Sequence, residues 1–116
     1  MSTNDMKLRA TLRSLAEIET TVRTLQSGDM RPTEFDHGAH LTVALWLLTR
    51  FPETEAATRM RDGLQRLLAR HGMGGYHETI TQFWLCAVRR FLDEADETLK
   101  TDLPELNARL LARFAD

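Results

Sequence analysis

Apolar residues recur along this chain at three- and four-residue steps, the spacing of one face of an α-helix. Leu8, Leu12, Leu15, Ile18, Val22 and Leu25 form the first stripe, with Arg13, Glu17 and Thr20 opposite. Gly28 supplies a stop, because glycine tolerates the left-handed conformation. Pro32 disfavours helix at Arg31, and Thr33 or Asp36 can cap a second helix. From Val43 to Leu48 that helix is apolar nearly all round. Such a helix is expected to be central. Phe51-Pro52 breaks it, and Pro52 fits the first turn of a third helix. Ala56, Met60, Leu64, Leu67 and Leu68 are its inner stripe, ending near Arg70. After the loop "HGMGG", a fourth helix is expected from about Tyr76 to Ala95. Ile80, Trp84, Ala87, Val88 and Phe91 are read as inward, and Arg89, Arg90, Asp93 and Glu94 as outward. A last helix carries Leu103, Leu106, Leu110, Leu111 and Phe114, with Pro104 at its start.

No period-two run, internal repeat or long linker interrupts this pattern. The expectation is a single all-α domain over residues 1–116. About five helices are joined by short loops, four forming the core bundle and the first or last lying across it. With 116 residues, 42% hydrophobic and 28% charged, the chain has the composition of one globular domain.

Charge removes some functions. Fifteen basic and 17 acidic residues give a net charge of −2, without a basic block. Nucleic acid and a polybasic membrane patch are therefore unsupported as partners. The longest apolar run, "VALWLL", is far short of the roughly 20 residues that span a bilayer. The opening "MSTNDMKLRATLRS" has no signal-peptide core. The compartment expected on those grounds is the cytoplasm. Cys86 is the one cysteine. It excludes an intrachain disulfide and, within "QFWLCAVRRF", reads as a small core residue.

The candidate chemistry lies in two segments, "EFDHGAHLTVALWLL" and "GGYHETITQFW", which hold three of the four histidines. His37 and His40 are three apart and share a helix face. His77 begins the fourth helix beside Glu78. If helices two and four run parallel, His37, His40, His77 and Glu78 meet at one end of the bundle, with Tyr76, Thr81 and Trp46 as walls. Such donors suit Zn, Fe, Ni, Cu or Mn, and spacing does not choose among these divalent metals. Without metal, Glu78 and His77 are candidate catalytic acid–base groups. His71, in the glycine-rich loop, is a lesser candidate for the same site. The plainer alternative has the histidines as hydrogen-bonded structural residues and the acidic groups as complements to helix N-termini.

Phe35, His37, His40, Leu41, Tyr76, His77, Glu78, Thr79 and Thr81 carry a resemblance. Their Phe-x-His-x-x-His-Leu and Tyr-His-Glu-Thr-Ile-Thr segments resemble those of a set of small, uncharacterised bacterial all-helical proteins. The resemblance implies that both segments belong to one site. It brings no activity, metal or substrate with it.

Two functions follow as expectations. The first is a histidine–carboxylate site binding a divalent metal or small molecule, with scope for catalysis. The second is a non-enzymatic helical module that binds a ligand or a protein, or dimerises through an apolar stripe on the last helix.

Overall fold

The computed structural model describes residues 13–73 and 78–114. Five α-helices make up the described part: α1 (Leu15–Ser27), α2 (His37–Arg50), α3 (Glu53–Arg70), α4 (Glu78–Glu94) and α5 (Leu103–Phe114). Single 3-10 turns at Pro32–Glu34 and Leu99–Thr101 precede α2 and α5. No strand occurs among the described residues. The protein is an all-α helical bundle, as the periodicity predicts.

Local chemistry sets the helix ends. Ser14 and Glu17 form a reciprocal capping box at the start of α1. Each side chain satisfies a backbone N–H that the first turn leaves without a partner. This cap falls inside the apolar run from Leu8 to Leu25, so that stripe does not continue as one described helix. Leu15 is exposed rather than inward, and Leu8 and Leu12 lie outside the described residues. Gly28 adopts φ 82° and ends α1, as expected. Asp36 caps α2, its Oδ1 accepting from the Ala39 amide at 2.8 Å. Pro52 sits one position before α3.

α2 is the axis of the molecule. It packs against α1, α3, α4 and α5. Nine of its 14 residues are buried, from Ala39 to Leu45 without a break and then Leu47 and Leu48. A helix that is apolar on every side needs neighbours on every side. The surrounding helices offer one stripe each: Ile18, Val22 and Leu25; Ala56, Met60, Leu64 and Leu67; Leu85, Val88 and Leu92; Leu106, Leu110 and Leu111. Gly63 permits close approach of α1 and α3, since a Cβ there would lie 3.3 Å from Leu25 Cγ.

Contacts fix the helix directions. Glu19 reaches Arg50 and His37 reaches Phe114, so α1 and α5 run against α2. Glu53 lies beside Cys86 and Arg61 beside Glu78, so α3 and α4 are antiparallel. α3 turns back on α2 after Phe51-Pro52, leaving α2 and α4 pointing the same way. Their N-terminal ends share one end of the bundle.

The inner face of α4 differs from the expected one. Leu85, Val88, Leu92 and the first-turn Thr81 are buried. Ile80 is 52% exposed and Phe83 62% exposed. Trp84 and Phe91 are half-buried against Phe114. Two interleaved apolar stripes run along this helix, and periodicity alone did not say which one the core takes. Cys86 lies on the outer stripe and is exposed, not a core residue. The two most exposed large apolar residues described therefore lie on α4, whereas the expected stripe on the last helix is buried.

The central position of α2 generates a test. Leu48 is 4% exposed within the core cluster. Leu48→Ala is expected to lower unfolding free energy by about 2–5 kcal/mol, the usual range for truncating a packed leucine. Urea denaturation measures it, and a loss below about 0.5 kcal/mol is the signature of a surface position that contradicts central packing.

Candidate functional site

The shared end of α2 and α4 carries every described histidine. His37 and His40 occupy the first turn of α2. His71 follows the last residue of α3, and Glu78 opens α4. Each of these groups has surroundings of its own.

His37 joins three helices. Its Nε2 lies 2.9 Å from the carbonyl oxygen of Phe114, in the last turn of α5. A carbonyl only accepts, so Nε2 carries a proton. The bond satisfies one of the carbonyls that a helix C-terminus leaves without an intrahelical partner. The same ring meets the Trp84 indole edge-on, with centroids 4.4 Å apart.

His40 is 8% exposed, and its Nε2 is buried without a hydrogen-bond partner. The Phe35 ring covers it at a centroid distance of 5.4 Å. Burial pushes its pKa down from 6.5 to about 4, and the neighbouring His37 adds to the effect. A charged imidazole would lose hydration here without gaining a counter-ion. The ring is therefore neutral at physiological pH and keeps a lone pair.

His71 ties two loops together, its Nε2 lying 3.3 Å from the Met30 carbonyl. Glu78 accepts from Gln82 Nε2 at 2.9 Å and lies 3.8 Å from Arg61. It also lies six positions, about 9 Å of helix rise, before the Trp84 that meets His37. The starts of α2 and α4 are thus staggered along the bundle. Tyr76 and His77 fall outside the described residues.

The expected walls divide. Thr81 is buried in the first turn of α4. Trp46 stands two turns further along α2, beneath the Arg50 guanidinium at 4.5 Å, and lines a groove with Glu19, Arg23 and Gln26 of α1. Among the described residues, no three His, Cys, Asp or Glu side chains surround a point where a metal ion could sit.

Asn107 is a buried polar group that the apolar pattern alone does not mark. Asn107 is completely buried, with neither amide atom partnered. Its signal was its register, since it falls on the inner stripe between Leu103 and Leu110. Gly38 of α2 faces Leu111 of α5. One turn further along each antiparallel helix, Asn107 comes level with Thr42, another fully buried residue whose hydroxyl lacks a partner.

The depressed His40 pKa fixes the sign of a pH effect. The unfolded chain takes up the imidazole proton near 6.5 and the folded chain only near 4. Between those values the unfolded state binds more protons. The contribution is whole above pH 6.5 and is lost as pH falls to about 4. The difference corresponds to about 3 kcal/mol. His40→Leu lacks this dependence, so its stability relative to the natural chain should rise by about that amount between pH 7 and pH 4. Denaturant titrations at both pH values measure it, and a constant difference contradicts a buried neutral imidazole.

No family model, curated protein or solved structure matches this chain.

Proposed function

We propose that the chain is a small helical ligand-binding protein whose site is the histidine end of the bundle. Its ligand is a divalent metal, or a small molecule held by the same groups. The observation that carries this reading is the buried His40 imidazole, neutral at physiological pH and with no partner for Nε2. A neutral imidazole ligates metal without first losing a proton. The His37 bond to Phe114 adds support, because histidine ligands commonly donate their second ring N–H to a carbonyl that orients them. His77 is the proposed third imidazole. Glu78 is the proposed carboxylate; it stands beside Arg61 and about 9 Å of helix rise from the level of His37, so the start of α4 must shift along the bundle as well as Glu78 turn for it to join. In a catalytic version, Glu78 or His77 moves the proton. The resemblance of the two segments to paired segments elsewhere supports treating them together.

A second reading has the histidines as structural groups and the protein as an interaction module. The exposed Ile80 and Phe83 favour it.

Metal titration separates the two. Zn, Ni, Mn, Cu or Fe(II) at a hundredfold excess over its dissociation constant should stabilise the fold by about 2.7 kcal/mol. His40→Ala and His77→Ala should each abolish that gain, and His71→Ala should retain it. Calorimetry and thermal unfolding with each metal provide the measurement. No stabilisation by any of the five removes the metal reading. Stabilisation that survives His40→Ala places the metal elsewhere.

A further inference from the structure

The outer face of α4 is apolar for three turns. Ile80, Phe83, Ala87 and Phe91 recur at helical spacing on this side. Phe83 is the most exposed large apolar residue of the described chain, at 62%, and Ile80 is next. Beside them a groove of about 350 Å³ runs between α4 and α5, lined by Phe83, Cys86, Phe91 and Phe114 among others. A contiguous apolar face on a small domain marks a contact surface more often than isolated exposed leucines do.

The charges around this face are of two kinds. Four are matched within the chain: Arg89 with Asp93 and Arg113 with Glu94. Two are not. Among the described residues neither Arg90 nor Glu53 has an ion-pair partner. Glu53 Oε1 lies 3.9 Å from Cys86 Sγ, on the α3 side of the face. Arg90 is one turn along α4 from Cys86, on the same side. One cation and one anion therefore flank the middle of the apolar stripe.

We infer that this face binds a second copy of the chain, with the two α4 helices crossing antiparallel about a two-fold axis near Cys86 and Ala87. Such an axis pairs Phe83 of each copy with Phe91 of the other, since these residues lie four positions either side of Ala87. The small Ala87 side chain sits at the crossing and permits close helix approach. The axis also carries Arg90 of each copy towards Glu53 of the other, so both unmatched charges are satisfied twice by one contact. The stripe is about 17 Å long by helix rise. It buries less than the roughly 800 Å² per partner of a standard interface, so the dimer is reversible, with a dissociation constant in the micromolar-to-millimolar range. This deepens the interaction reading by naming its partner. It does not involve His40, so metal titration and self-association fail separately.

Sedimentation of the full chain from micromolar to submillimolar concentration should show a monomer–dimer equilibrium. Phe83→Ser and Ile80→Ser, both at exposed positions, should each weaken it at least about tenfold while circular dichroism stays unchanged. Glu53→Arg and Arg90→Glu should each weaken it, and the double exchange should restore it. Cys86, the sole cysteine, reports the geometry. A short bismaleimide should link two natural chains into a covalent dimer and fail with Phe83→Ser. A natural chain that stays monomeric overturns the proposal, as does association that survives Phe83→Ser. Failure of the double charge exchange to rescue overturns the antiparallel two-fold.

Discussion

The burial of α2 on all sides is the constraint on which the rest of the molecule depends. Its segment from Ala39 to Leu48 has almost no surface that water would accept. At roughly 25 cal/mol per Å² of apolar surface removed from water, four enclosing helices are the economical answer. Each of those helices is amphipathic and could not stand alone. All four pack their stripes on α2, and α1 and α3 also pack closely on each other where Gly63 meets Leu25.

That enclosure also makes the histidines unusual. Asp36 caps α2 just before its buried stretch begins, so the polar end and the apolar body of the helix are separated by a single turn. His40 stands where one gives way to the other. It is deep enough to lose its charge, and its Nε2 is enclosed there without a partner. Its unpartnered nitrogen is a cost that apolar packing could have avoided. A group retained at such a cost is where function is most reasonably sought.

Much of the fold was legible because α2, α3 and α5 each have one dominant stripe. Leu64 and Leu67, or Leu106 and Leu110, point inward on any helical reading. α4 was harder. Its apolar residues occupy more than half its circumference, so Ile80 and Leu85 competed for the core, and only packing against α2 and α3 selected Leu85. Cys86 followed Ile80 outward for the same reason. Ser14 and Glu17 spelled a helix start that the longer run of leucines obscured. At the candidate site, spacing correctly put His37 and His40 in one turn. It could not reveal that Glu78 faces Arg61, that His71 spans to Met30, or that Phe114 supplies a carbonyl to His37. Those contacts join segments far apart in the chain, and their partners are backbone oxygens or common surface charges that leave no trace in local pattern.

The bond from His37 to Phe114 has a consequence for how the protein comes into being. Its partners lie 77 residues apart, so it closes the chain from the start of α2 to the end of α5 into one loop. Loop closure of that length is an entropic expense met only once the intervening helices have docked. During synthesis α2 emerges long before α5 and must wait with an apolar surface uncovered. The histidine end therefore acquires its final form only after α5 has been made and has docked, and a chain stalled short of Phe114 would carry His37 without the carbonyl that holds it.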